Sequence, residues 1–299
     1  MKSFIITLGL ISTLLFACVS AINTKNEIID VEVKNGNSLL WSIEKEGQPK
    51  SYLFGTMHMI ELEYYNFSNK LKSRILSSDK VIMEIAGTPN PIEAFNLMVL
   101  DSGSVEDFFT KEQLATIVEF MDKKLNISPK QFRERYSKMK PFLILQTLTQ
   151  AYFSDSATSY DLQIIQLAEG NNIGIEGFET MEEQLAFFDE IPDYKMAELI
   201  VTSIKNFEKE KKETIKLQKL YAKEKVNKLI PLMKKQSPEF MAYEDIFLSN
   251  RNKKWISKII KFTKKHRCFI AVGAAHLFGE NGVINLLKQN GFKLTPIYK

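Results

Sequence analysis

Cysteine occurs twice and histidine three times in 299 residues. Cys18 falls in an amino-terminal leader, which leaves Cys268 without a partner and excludes an intrachain disulfide in the mature chain. Cys268 begins an apolar run, where it reads as a small buried side chain rather than a nucleophile. Charge of one sign is lacking too. The formal net charge is +4, and the lysines are spread over helix-like segments instead of gathering with aromatics or glycine, which excludes the usual footprint of nucleic-acid binding. The apolar run from Phe4 to Ala17 falls short of the roughly 20 residues a membrane span requires. With 44% apolar and 25% charged residues, the remainder is an ordinary globular chain.

That short run after Lys2 has the length of a secretory-signal core, and residues 1–21 hold two competing cleavage patterns. Leu15-Phe16-Ala17-Cys18 resembles a bacterial lipobox, which makes Cys18 a lipid-modified first residue, although Phe16 is bulky for its place. Val19-Ser20-Ala21 offers the small-residue pattern of an ordinary signal peptidase, cutting after Ala21. A cysteine is otherwise uncommon there, which favours the lipoprotein. Either pattern exports the protein, to a bacterial periplasm or cell envelope. The one expected membrane contact is the lipid on Cys18.

Beyond the leader, strand-like and helical runs alternate, as in an α/β (α+β) fold with a mixed sheet and flanking helices. Residues 38–299 read as a single domain. Ser38 to Glu44 and Ser51 to Phe54 flank the turn Glu46-Gly47-Gln48-Pro49 and predict a hairpin. A helix is expected near Asn66 to Ser77 and a buried strand at Lys80 to Ile85. Asp101 to Leu125, with Thr110 and Gln113 spaced as a capping box, and Pro129 to Ala151 predict two helices. After Ser159-Tyr160-Asp161 a helix runs to Glu169, Gly170 closes it, and Ile173 to Phe178 supplies a strand. From Met181 to Lys235 the chain is helical and rich in Lys and Glu, with Leu217, Leu220, Tyr221, Leu229 and Leu232 along one apolar stripe. The two helical insertions, 101–151 and 181–235, are expected to cap the sheet edge. A helix from Tyr243 to Lys265, a strand at Cys268 to Val272, a helix at Val283 to Gln289 with Gly291 as its C-cap, and a strand at Lys293 to Ile297 complete the reading.

Two of the three histidines share one setting: an apolar strand-like run, a glycine, two residues, then His. The copies are Phe54-Gly55-Thr56-Met57-His58 and Val272-Gly273-Ala274-Ala275-His276. With 13 glycines in the chain, a given His has Gly three residues before it about 4% of the time, and two of three do so roughly 0.6% of the time. A glycine at a strand end lets the backbone turn or approach a ligand closely, so Gly55 and Gly273 would aim each imidazole back over the sheet edge where α/β sheets bind ligands. Neutral imidazole is the commonest protein metal ligand.

Glu84, at the end of a third strand, completes a set of two imidazoles and one carboxylate, which leaves an open position on a divalent ion for water or a substrate carbonyl. Glu84 reads equally as the general base or as a solvated strand-end residue. His266 follows Lys264 and Lys265 at a helix end, where a cation suits the macrodipole, and stands outside the set. Arg251 and Asn252 read either as a surface pair or as donors to a substrate carboxylate or oxyanion. Asp161 reads as a charge favoured in a first helical turn, or as part of the site. Glu179 is the better candidate than Glu176 for a carboxylate that orients a ligand histidine.

The two Gly-x-x-His motifs, the Glu84 strand, Ile175-Glu176-Gly177-Phe178-Glu179-Thr180 with Gln184-Leu185, and Arg251-Asn252 together resemble the TraB/GumN family from about Leu39 to Tyr298. That family is related to the Tiki proteins and, more remotely, to the erythromycin esterase and ChaN-like proteins. The resemblance implies a metal-dependent hydrolase: Tiki proteins are described as metal-dependent proteases that rely on both Gly-x-x-His motifs, which map onto His58 and His276. Their acidic residue maps onto Glu84 and their Arg-Asn pair onto Arg251 and Asn252. It implies a divalent ion and a peptide or small-molecule substrate; two imidazoles and a carboxylate suit zinc, manganese, cobalt or iron. The ChaN-like relatives, associated with haem iron, imply the alternative of metal or haem binding without turnover.

Overall fold

The hairpin at the start of the domain is β1 (Leu40–Glu44) and β2 (Ser51–Thr56), antiparallel with Trp41 opposite Leu53. The computed structural model describes residues 38–298 except 89 and 237–242. The leader and its two cleavage patterns lie outside those residues. β3 (Lys80–Ile85), β4 (Gly174–Glu179), β5 (Cys268–Gly273) and β6 (Lys293–Pro296) join the hairpin in one six-stranded sheet of order β4-β3-β5-β2-β1-β6. The first four of that order run parallel, and β1 is antiparallel to both of its neighbours. The fold is α/β.

Helices fill the connections: α1 (Asn69–Leu76), α2 (Pro91–Leu97), α3 (Lys111–Leu125), α4 (Pro129–Tyr136), α5 (Phe142–Gln150), α6 (Tyr160–Glu169), α7 (Met181–Asp189), α8 (Asp193–Lys205), α9 (Phe207–Ala222), α10 (Val226–Gln236), α11 (Asn250–Thr263) and α12 (Val283–Gln289). The capping box at Thr110 and Gln113 forms as expected at the start of α3. Three expected helices are divided. Phe109 and Thr110 are extended, so Asp101 to Leu125 becomes a short 3-10 turn, Val105–Phe108, followed by α3. Pro141 has no N–H to continue a helix, so Pro129 to Ala151 becomes α4 and α5. The helix expected from Tyr243 instead opens with a π-helical turn, Asp245–Ser249, before α11. The short α2, capped by Asn90 with Pro91 in its first turn, has no counterpart in the sequence reading.

Alternation along the strands explains why both faces of the sheet are covered. Phe54, Val81, Met83, Phe269 and Ala271 face one cluster, with Leu71 of α1, Ile164 of α6, Leu217 and Tyr221 of α9 and Leu229 of α10. Leu53, Ile82, Cys268, Ile270 and Val272 face the other, with Trp255 and Ile259 of α11 and Leu287 of α12. Buried there, the Cys268 thiol is pushed up to about 12, which keeps it protonated and inert. The two insertions behave differently from the expected joint cap. Residues of α2 to α5, α7 and α8 build a separate helical core that reaches the sheet at Ile85, whereas the apolar stripe of α9 and α10 lies on the sheet face.

Candidate functional site

The parallel register sets the site. Thr56 of β2 is level with Gly273 of β5, Met83 of β3 with Ala271, and Ile85 with Glu179 of β4. Four neighbouring strands therefore end at one edge and deliver Glu179, Glu84, Gly273 and Thr56 side by side, with His58 and His276 just beyond. A carboxyl edge of parallel strands is where α/β sheets commonly bind ligands.

Both histidines turn back toward Glu84. His58 Nε2 lies 4.0 Å and His276 Nε2 3.7 Å from Glu84 Oε1. His58, His276 and Glu84 are 5%, 1% and 6% exposed. Gly273 fits between them: a Cβ on it would meet His58 Nε2 at 3.1 Å and Glu84 Oε1 at 3.3 Å. Gly55 is required by packing instead, because a Cβ there would fall 2.6 Å from Leu277 Cδ1.

The proton positions follow from the partners of the other ring nitrogen. His58 Nδ1 is 2.7 Å from Asp161 Oδ2, a carboxylate that can only accept, so Nδ1 carries the proton. Thr56 Oγ1 donates to the other Asp161 oxygen at 3.0 Å. His276 Nδ1 is 2.7 Å from Asn252 Oδ1. Asn252 Nδ2 donates to the backbone oxygens of His276 and Asn281 at 3.3 and 2.8 Å, which fixes the amide so that Oδ1 accepts from His276. In their neutral forms both rings present the Nε2 lone pair to the space beside Glu84 Oε1, that of His276 with Arg251 Nη1 3.3 Å away.

Arg251 is buried and organises the carboxylates. Its Nη2 donates to Glu84 Oε2 at 2.6 Å and to Glu179 Oε2 at 2.7 Å, and its Nε donates to both Glu179 oxygens. Nη1 donates to the Phe247 oxygen at 3.0 Å and lies 3.3 Å from His276 Nε2. Arg251 and Asn252, read from sequence as a surface pair or as donors to a substrate, are both buried with internal partners. The guanidinium is committed to internal acceptors, and Asn252 orients His276. Glu179, expected to orient a ligand histidine, binds Arg251, Gln184 Nε2 and Trp255 Nε1 instead. Asp161 takes that role for His58, while Ser159 caps α6.

Three residues to which the sequence assigns no role in the site also contribute. Gln184 Nε2 donates to Glu84 Oε2 at 3.2 Å, Thr56 steadies Asp161, and the Trp255 ring lies against His276 with centroids 4.5 Å apart. Trp255 stands one turn after Arg251, so the helical spacing was the available signal.

Charge in the cluster is unbalanced. Glu84, Glu179 and Asp161 face a single guanidinium, which leaves two negative charges when both imidazoles are neutral. Burial favours the neutral form of the Glu84 carboxyl, but Arg251, His276, His58 and the Gly273 N–H hold it far below the usual range. Burial pushes the His58 pKa down, yet Asp161 and Glu84 outweigh it and leave the value raised. Burial, opposed by Glu84 and reinforced by Arg251 and His58, lowers His276 to about 3.

The donor set suits a divalent cation: two Nε2 lone pairs and a carboxylate oxygen converge, each ring is oriented through its other nitrogen as metal-bound histidines usually are, and the surrounding charge is negative. Among the described residues, no group of three or more His, Cys, Asp or Glu stands close enough together to hold a metal ion as the side chains are placed. The 4.0 and 3.7 Å separations exceed the ~3.4 Å edge of a tetrahedron with ligands about 2.1 Å from zinc, a gap that small rotations of the two rings would close.

A pH dependence follows for the protein in chelator. His276 gains a proton near 6.5 in the unfolded chain but only near 3 in the fold, so stability is full above pH 6.5 and falls as pH drops through that window. His58 acts in the opposite sense, its contribution present at low pH and fading as pH rises through its raised value. Urea midpoints are expected to fall between pH 6.5 and about 5, above the carboxylate range, and His276→Gln should flatten that slope. A slope unchanged in the variant would remove His276 as its source.

A family model described as TraB/PrgY/gumN matches residues 39–296. An uncharacterized protein YbaP of Shigella flexneri is 23% identical over 85% of this chain and 94% of its own length, and the protein of that name from Escherichia coli (strain K12) is 22% identical over the same shares. No solved structure matches.

Proposed function

The chain belongs to the TraB/PrgY/gumN family, and on that premise we propose that it is an exported, divalent-metal-dependent hydrolase acting on peptide bonds. The observation that carries this reading is the pair of strand-end imidazoles, each with its Nδ1 proton engaged and its Nε2 aimed at one carboxylate oxygen. His58, His276 and Glu84 would hold the ion. Once bound, it would supply Lewis acidity and bring the pKa of a coordinated water toward neutrality.

The remaining residues hold these three in place. Asp161 and Asn252 keep both histidines in the tautomer that leaves Nε2 unprotonated, and at His276 an ion would take the lone pair that Arg251 Nη1 now approaches at 3.3 Å. Arg251 and Gln184 fix the Glu84 carboxylate through Oε2, so that Oε1 faces the imidazoles. A carboxyl held so far below the usual range is a weak base, which favours Glu84 as ligand over Glu84 as proton acceptor.

The burial of these groups favours a second reading, in which the protein retains a metal ion without turnover. Side chains that are only 5%, 1% and 6% exposed suit a small ion better than a haem.

Gently purified full-length protein is expected to carry about one divalent ion per chain. Chelation should abolish hydrolysis of a mixed peptide library, and re-addition of zinc, manganese, cobalt or iron should restore it. An ion-loaded protein that leaves every peptide intact would sink the hydrolase and keep the metal-binding reading. A protein that retains no ion would sink both.

A further inference from the structure

The helical stretch that leads from Glu244 through the π-helical turn into α11 places Glu244, Leu248 and Asn252 at four-residue intervals, along one face. π-Helical turns are rare and occur mostly at functional sites. This one serves two neighbours. The Phe247 oxygen accepts from Arg251 Nη1 inside the carboxylate clamp, whereas Glu244, Leu248 and Asn252 all line a cavity of about 210 Å³.

That cavity lies between α10, the π-helical turn and the loop that follows His276. Ile230 and Met233 of α10, with Leu248 and Phe278, give it apolar walls. Partly buried Glu244 and exposed Glu280 add two carboxylates, and the described lining holds no Lys, Arg or His to neutralise them. One end meets the proposed metal centre. Asn252 accepts from His276 Nδ1, and Ala275, also in the lining, immediately precedes that histidine. We propose that this cavity receives the side chain of a lysine, its four-carbon stem against the apolar walls and its ammonium at Glu244 and Glu280.

Lysine is a side chain that lays an aliphatic stem along apolar surface while its charge stays near water, which matches walls of one kind and a partly open acidic end of the other. Three other occupants fit less well. An apolar side chain would take Glu244 further from water without supplying a partner. Calcium or magnesium would gain nothing from thioether and aromatic walls, since both take oxygen ligands. An acidic group would meet two carboxylates and no cation. The hydrolase reading is needed only to make the lysine part of a substrate. On that reading the cavity selects peptides with a lysine close to the bond that is cut.

Binding can be followed apart from turnover. Full-length protein labelled with carbon-13 on its methionine methyls is titrated with N-acetyl-lysine methylamide and with the norleucine analogue, which keeps the four-carbon stem and lacks the charge. The Met233 signal is expected to shift saturably with the lysine compound, and the norleucine compound should bind about tenfold more weakly. Glu244→Gln, which keeps an acceptor for Ser249 Oγ, and Glu280→Gln should each weaken lysine binding about threefold. The double variant should weaken it about tenfold and leave norleucine binding unchanged, with the melting temperature of the parent. Added salt should act in the same direction. A Met233 signal that stays still at millimolar lysine probe, equal affinity for the two probes, or lysine binding untouched in the double variant overturns the pocket. Lysine binding without cleavage of any peptide supports the pocket and sinks the hydrolase reading. Cleavage with no preference for lysine-containing peptides keeps the hydrolase and overturns the pocket as part of its substrate site.

Discussion

Arg251→Met is expected to cost about 3–5 kcal/mol of folding stability, the typical result of removing one partner from a buried ion pair. Arg251, Glu84 and Glu179 have side chains only 4%, 7% and 6% exposed. Methionine fills much of the volume but leaves two buried carboxylates facing each other, with Gln184 Nε2 donating to both and Trp255 Nε1 to Glu179. For a domain of this size the melting temperature should fall on the order of 10 °C. Arg251→Lys should recover little, because one ammonium cannot reproduce donors to Glu84, Glu179 and the Phe247 oxygen together. The double variant Arg251→Met/Glu179→Gln should be more stable than Arg251→Met alone, since it removes one stranded charge. Thermal melts of the three variants decide the matter. A loss below about 1 kcal/mol, the range of exposed pairs, would mean that water reaches the cluster.

The second large effect separates ligands from orienting groups. His58→Ala and His276→Ala should each abolish retention of the ion and all hydrolysis while the fold persists. Asp161→Asn and Asn252→Leu should lower ion affinity by roughly 10–100-fold, as losses of groups that orient a metal-bound histidine do. Asp161→Asn has a further signature. Because Asp161 helps to raise the His58 pKa, the wild-type protein should release its ion as pH falls through that raised value. In Asp161→Asn the affinity, lower throughout, should begin to weaken with falling pH only at a lower pH, since protons compete less well for the same nitrogen. Metal content by elemental analysis, taken across a pH series with circular dichroism as a control for folding, provides the check. Full ion retention in His58→Ala or His276→Ala would rule out the shared centre.

Local patterns in the chain were sufficient for the elements. The hairpin, the buried strands at Lys80 and Cys268, the Thr110 capping box and the helix after Ser159 each depend on residues a few positions apart. The divided helices show the limit of that signal: apolar periodicity continues across Pro141 although the missing N–H breaks the backbone ladder. The roles of Arg251, Asn252, Asp161 and Glu179 were not legible, because each depends on a partner between 24 and 105 positions away.

By itself the sequence determined the α/β class, the two histidines at glycine-marked strand ends and the family, since periodicity and short motifs are properties of neighbouring residues. Only the tertiary structure decided that β5 enters the sheet between β2 and β3. That placement brings the two Gly-x-x-His motifs onto adjacent parallel strands beside Glu84 and seals them from water. It also made Arg251, which the sequence left open between a surface residue and a substrate donor, the internal clamp of two carboxylates, because a buried guanidinium must satisfy its donors with whatever acceptors the fold sets around it.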